Sequence, residues 1–176
     1  MQVNNHMPTK WFYPTTVSQR GEVPQHISWL GVDNFTSIKN VRTVIDLTTI
    51  ANDLQLSNLR TMSYYLFFTG FGITANDIPD TLNGIEVSIN VKRGGRVLDE
   101  NVSLWHGTDS LTSNKADADL SNIKTYGSST DTWNAVPMIR SLMPNPDFGL
   151  MLRYQSNVSW PHRTTPNMEH IQLRLW

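Results

Sequence analysis

The fold is decided by residues 84–92, which read Gly-Ile-Glu-Val-Ser-Ile-Asn-Val-Lys. Apolar and polar residues alternate along this stretch. Because successive side chains of a strand point to opposite faces, it predicts a β-strand with one buried face. Further β-branched or alternating runs occur at 41–49, 62–69, 101–106, 148–154 and 168–176. The run at 62–69 is largely apolar, which predicts a strand with both faces at least partly covered.

Turn signals separate these runs, and helical patterns are short. Asn83-Gly84, Gly94-Gly95 and Pro144-Asn145-Pro146 are typical turn residues. The Gly94-Gly95 pair is flanked by arginines, and we interpret it as a hairpin turn rather than a phosphate-binding loop. Only residues 49–59 and 135–143 compete as short helices, and a further strand is equally open for 135–143. Six or more short strands therefore predict an all-β fold, a β-sandwich of jelly-roll type.

The composition restricts the class of protein. The 176 residues contain no cysteine, which excludes disulfides and thiolate metal sites. Only 16% of residues are charged, the net charge is -1, and the few lysines form no cluster, so we expect no nucleic-acid partner. The longest charge-free run, at 61–76, is too short and interrupted to cross a membrane. The first residues lack a signal-peptide pattern, so we expect folding in a reducing cytoplasm.

The polar residues are instead mainly serine, threonine and asparagine. Hydroxyl and amide groups cost less to desolvate than ions do. This composition fits a surface that is covered in a dense assembly, and it fits a sugar-facing surface equally well.

Residues 1–30 predict an extended N-terminal arm, followed by a single domain at 31–176. The arm contains three prolines and the aromatic triplet Trp11-Phe12-Tyr13, which is costly to leave in water. We expect the triplet to anchor the arm on its own domain or on a neighbouring subunit, and both alternatives stay open. Trp160, beside Pro161 in a polar loop, is the second expected interface residue. Trp105 and Trp133 are expected to pack in the core or at its edge.

Residues with catalytic or metal-binding chemistry form no pattern. The histidines lack zinc-binding spacing, although His106 is close to Asp109 in sequence. Asp117 and Asp119 resemble the start of a calcium loop, but its glycine and closing glutamate are missing. We expect a solvated acidic loop that at most attracts a cation weakly. No nucleophile motif occurs, so we expect no enzyme activity, no cofactor and no metal.

A resemblance covers the chain from Thr61 onward. It is carried by turn and strand motifs in a set order, namely Phe71-Gly72-Ile73, Ile78-Pro79, Asn83-Gly84-Ile85-Glu86-Val87, Val102-Ser103-Leu104, Tyr126-Gly127, Asp131-Thr132-Trp133, Asn145-Pro146-Asp147-Phe148-Gly149-Leu150 and the final strand 168–176. Together they resemble β-sandwich structural proteins of tailed-phage particles. One departure is Ser128, which stands where the pattern tends to have a second glycine.

The resemblance implies specific roles for four residues. Gly84 would let the chain bend before a buried strand, and Gly149 would sit where two backbones approach closely. Asp131 would accept hydrogen bonds from nearby backbone amides while Trp133 caps the sandwich.

The resemblance also implies a non-catalytic virion protein, assembled in the host cytoplasm. We expect a capsid cement or decoration protein that stabilises the phage head; collar and tail-fibre locations stay open. Its partners would be the major capsid protein or other virion proteins, and copies of itself, by analogy as a trimer. The alternative is a carbohydrate-binding module of a tail fibre or spike. A glycan-cleaving enzyme would need two carboxylates at hydrolytic separation.

Overall fold

In the computed structural model, residues 7–20, 65–92, 97–135, 138–156 and 167–176 are described. They form mostly β-strands with one short helix and a 3-10 turn. The strands are β1 (Thr16–Arg20), β2 (Tyr65–Thr69), β3 (Ile85–Lys92), β4 (Val97–His106), β5 (Asp109–Ser110), β6 (Ile123–Gly127), β7 (Phe148–Ser156) and β8 (Asn167–Leu175), the helix α1 is Met138–Leu142, and the 3-10 turn is Ala75–Asp77. The all-β prediction is confirmed over this part of the chain. No helix within these ranges has the length and apolar character needed to cross a bilayer.

The strands form two antiparallel sheets. The larger sheet has the order β1-β2-β7-β4-β5 and the smaller one has the order β6-β3-β8. Strands β3 and β4 are consecutive in sequence but belong to different sheets. Strands β3 and β4 therefore do not form the hairpin predicted from Gly94-Gly95, and the two glycines themselves lie outside the described residues. Both flanking strands have an apolar face, and burying the two faces in one core outweighs the local preference of a Gly-Gly pair for a hairpin.

The apolar faces of both sheets contribute to one hydrophobic core. From the smaller sheet come Ile85, Val87, Ile89, Ile171, Leu173 and Leu175, and from the larger sheet come Phe68, Val102, Leu104, Leu150 and Leu152. These positions are the alternating apolar residues of the sequence, so the predicted strand faces are confirmed. In β2 the consecutive residues Leu66, Phe67 and Phe68 are all buried, as expected for a strand covered on both sides.

Strands β1, β5 and β6 were not predicted, and two predictions lie outside the described residues. Strand β6 reads Ile-Lys-Thr-Tyr-Gly and directs Lys124 inward, so it lacks an apolar alternation. Strand β1 lies within the predicted arm. The predicted strand at 41–49 and the predicted helix at 49–59 are outside the described residues. Of the two alternatives for residues 135–143, helix or strand, the structure has the helix α1, in which Ile139 is buried.

Trp133 belongs to the hydrophobic core. It is 1% exposed, and its indole N–H donates to the Ile85 carbonyl at 2.8 Å. Asp131 accepts the Trp133 backbone N–H at 2.8 Å, as expected, and forms a 2.6 Å ion pair with Lys115. Gly127 has a φ of 76°, and a side chain there would overlap the Ile85 carbonyl and the Trp133 indole. Glycine is therefore required at this turn.

Candidate functional site

The N-terminal segment, residues 7–20, first extends the smaller sheet. The backbone N–H of Phe12 donates to the Leu173 carbonyl at 2.7 Å, and the Leu173 N–H donates back at 2.9 Å. The Thr9 N–H donates to the Leu175 carbonyl at 2.9 Å, and the Thr9 hydroxyl accepts from the Leu175 N–H at the same distance. These bonds place the segment along the edge of β8.

The same segment then crosses to the larger sheet. The Thr15 N–H donates to the Thr69 carbonyl at 3.1 Å, and β1 continues antiparallel to β2. Between the two sheets, Phe12 is 3% exposed and Val17 is 8% exposed, and both belong to the core. Of the two alternatives for the arm, residues 7–20 thus lie on their own domain. The predicted boundary at residue 30 is outside the described residues.

A stack of three side chains covers the outer face of the smaller sheet beside this segment. The Arg174 guanidinium lies 4.4 Å from the centre of the Trp11 ring and 4.7 Å from that of Trp176. Cation–π contacts of this kind stabilise most strongly when they are partly desolvated. We call Trp11, Arg174 and Trp176 the Trp–Arg–Trp stack.

Glu86, which lies on β3, compensates the positive charge of Arg174 in the stack. Its two carboxylate oxygens accept from the Arg174 Nη2 at 3.0 Å each, and one of them also accepts from the Trp176 indole N–H at 3.1 Å. The antiparallel register sets Glu86 directly opposite Arg174. Strand pairing therefore builds this cluster from residues 88 positions apart.

Lys10 and Asp77 make a weaker attachment of the segment. Lys10 Nζ lies 3.2 Å from Asp77 Oδ1, with the lysine side chain 67% exposed. The pKa of Asp77 is lowered first by the hydrogen bonds from the Thr74 hydroxyl and backbone N–H, and then by Lys10. An exposed pair of this kind adds little to stability.

The predicted interface residues lie in different environments in the structure. Trp11 is half-buried in the stack, Phe12 is in the core, and Tyr13 is half-buried. Trp160 lies outside the described residues. Trp176 was not assigned from the sequence, since its role depends on the pairing of β8 with β3. The alternation of β8 was the signal that set Trp176 on the same face as Arg174.

A second cluster, also missed by the sequence analysis, links the two sheets inside the protein. Lys124 of β6 and Asp99 of β4 approach within 3.2 Å, with side chains only 3% and 1% exposed. The Tyr126 hydroxyl donates to the same Asp99 oxygen, and the Lys124 ammonium lies 5.2 Å from the centre of the Tyr126 ring. We call Asp99, Lys124 and Tyr126, together with Asp117 and Asp119, the lysine cluster.

The loop at 117–121 completes the lysine cluster. Lys124 Nζ donates to the Asp117 carboxylate, to the Asp117 carbonyl at 3.3 Å and to the Asp119 carbonyl at 3.1 Å. Partial burial raises the pKa of Asp117, but the hydrogen bonds from Lys124 and from the Asp119 backbone N–H, together with the Lys124 charge, outweigh it, and the net pKa lies below its ordinary value. The Asp117 side chain is 57% exposed, so the expected solvated loop is correct for its outer side only.

His106 and Asp109 are cross-strand partners on β4 and β5, as their closeness in sequence suggested. Within the described ranges no three His, Asp or Glu side chains converge as metal ligands.

No protein-family model matches this chain, and neither a curated protein nor a solved structure is significantly similar to it.

Proposed function

We propose that this protein is a non-catalytic structural subunit of a tailed-phage particle, a β-sandwich of jelly-roll type that acts as capsid cement or decoration. The observation that carries the proposal is that its described lysine and arginine side chains are bound within the chain. A subunit that binds neighbours over large areas must desolvate its surface, and ions are the costliest groups to desolvate.

Each lysine and arginine whose side chain the structure describes is bound by oxygens of the same chain. The pairs are Lys10 with Asp77, Lys115 with Asp131, Lys124 with Asp99 and Asp117, Arg153 with Glu100, Arg174 with Glu86, and Arg140 with the carbonyls of Pro79 and Asp80. This arrangement leaves none of the described lysines and arginines without an oxygen partner in the same chain. It favours a protein partner over a phosphate backbone.

The N-terminal segment supports a role in linking copies. It is held through main-chain hydrogen bonds at the edges of β8 and β2 and through Phe12 in the core. The same bonds can be made with an identical neighbouring subunit, because exchange of an edge segment preserves every contact. The partners would be the major capsid protein and further copies of this chain, and many weak contacts would act together.

Copy number in purified particles tests the proposal. Quantitative mass spectrometry, with the major capsid protein as the internal standard, should find on the order of hundreds of copies on a particle, as multivalent cementing requires. A dozen or fewer copies on each particle would instead indicate a location in the collar or tail. Absence from purified particles would contradict the virion assignment.

A carbohydrate-binding module remains the second candidate, because the half-buried rings of Trp11 and Trp176 flank a charged pair on the outer sheet face. Aromatic rings beside polar groups are suited to sugar binding. Tryptophan fluorescence titrated with host polysaccharide tests it. Saturable quenching that is lost in Trp176→Ala supports sugar binding, and no change at millimolar sugar removes this candidate.

A further inference from the structure

Oxygen atoms from two separate parts of the chain surround the Lys124 ammonium. Asp99 contributes a carboxylate oxygen from β4, Asp117 contributes a carboxylate and a carbonyl oxygen, and Asp119 contributes a carbonyl oxygen. A mixed set of carboxylate and main-chain carbonyl oxygens is the set that hard cations take in proteins. The cation among these oxygens is the Lys124 ammonium, so the protein itself supplies it.

The loop orients its carbonyl oxygens through its own short-range hydrogen bonds. Asp117 Oδ1 accepts the Asp119 N–H at 3.0 Å, and Asp119 Oδ1 accepts the Ser121 N–H at 3.0 Å. Neither bond uses the carbonyl oxygens that face Lys124, which therefore remain available to a cation. Loss of the ammonium would leave these oxygens and the buried Asp99 carboxylate without that donor.

We propose that residues 117–121 and Asp99 form a binding site for one small cation, and that Lys124 carries this cation on its own side chain. The wild-type site is thus filled at all times and holds the loop against both sheets without an added ion. When the lysine is shortened, the site takes a free primary ammonium ion. The Lys124 ammonium here supplies the positive charge that these oxygens require.

The test is chemical rescue of Lys124→Ala. This change removes Cγ, Cδ, Cε and Nζ, and n-propylammonium has the same four heavy atoms. At about ten times its Kd, the ion should raise the Tm of Lys124→Ala by about 3 to 6 °C over sodium chloride of equal ionic strength. Neutral n-propanol should not do so. Lys124→Met is the matched control, because methionine fills the space without charge and should not respond.

Equal effects of n-propylammonium and sodium chloride on Lys124→Ala would overturn the proposal, as would an equal response of Lys124→Met. If Lys124→Ala does not fold, the same comparison is made on refolding from urea by near-ultraviolet circular dichroism. The ratio of folded to unfolded protein should then rise about tenfold at ten times Kd. An unchanged ratio would equally overturn it.

Discussion

Arg174 and Glu86 lie opposite each other on β8 and β3 and form an ion pair through both carboxylate oxygens, at 3.0 Å from Nη2. The geometry leaves the flat faces of the guanidinium available to Trp11 and Trp176. One residue of the N-terminal segment is thereby attached to a pair that already joins two strands. The attachment of the segment can be tested at Trp11 without disturbing the core.

Trp11→Ala should lower the free energy of unfolding by about 1 to 2 kcal/mol, because it removes one cation–π contact and part of the buried ring area. Urea denaturation followed by circular dichroism measures this change. Met7→Ala is the control, since Met7 is 85% exposed and should behave as wild type. A loss equal to that of the control would mean that Trp11 does not hold the segment.

Deletion of residues 1–30 is a poor test of the arm as an interface. It would remove Phe12 and Val17 from the core, and loss of a buried phenylalanine alone costs about 3 to 5 kcal/mol. Trp11→Ala and Tyr13→Ala keep the core and are the better variants for measuring incorporation into particles. Unchanged incorporation of the double variant would refute an interface role for these two side chains.

The lysine cluster should show strong coupling in a double-mutant cycle. Asp99→Leu and Lys124→Met should each cost about 3 to 5 kcal/mol, because each removes one partner of a buried ion pair. The double variant should cost less than the sum of the two, since no charge then remains in the pair. Chemical denaturation of the four proteins provides the values. Simple additivity would show that the two side chains do not interact.

Stability should fall in acid, and Asp131 should contribute to that fall. The pKa of Asp131 is raised by partial burial but lowered more by the Lys115 and Trp133 hydrogen bonds, and it lies below its ordinary value of 3.8. Its folded-state pKa is thus depressed, so its contribution is present above pH 3.8 and is lost as the pH falls through the folded value. Unfolding measured from pH 7 to pH 2 should show a shallower decline for Asp131→Asn. Parallel curves would contradict this assignment.

Gly149→Ala should prevent correct pairing of β7 with β2, because the added carbon would overlap the Phe68 carbonyl. The close approach expected at Gly149 from the sequence is thus confirmed. Gly72→Ala is the contrasting variant, since Gly72 has a φ of 66° but open space around it. Its cost should be only about 1 to 2 kcal/mol of backbone strain. Thermal melts of both variants measure the difference, and similar Tm values would count against the overlap.

The sequence was sufficient to predict the strands that alternate in polarity. In β3, β7 and β8 the side chains at every second position are apolar, and the core requires burial at the same positions. The resemblance also predicted that Asp131 bonds a backbone amide and that Gly149 lies at a close approach. The alternation and the Asp131 bond depend on one strand face or on neighbours along the chain, so short patterns record them.

Only the tertiary structure decided which residues form the clusters. Glu86 and Arg174 become neighbours through strand register, and Lys124 faces Asp99 because their strands belong to different sheets. Strand β6 was not predicted because it contains the buried Lys124. A charged residue in an alternating pattern is expected to point outward, whereas Lys124 points inward. Sequence patterns record polarity along one strand, whereas pairing between distant strands is selected by the free energy of the whole packed core.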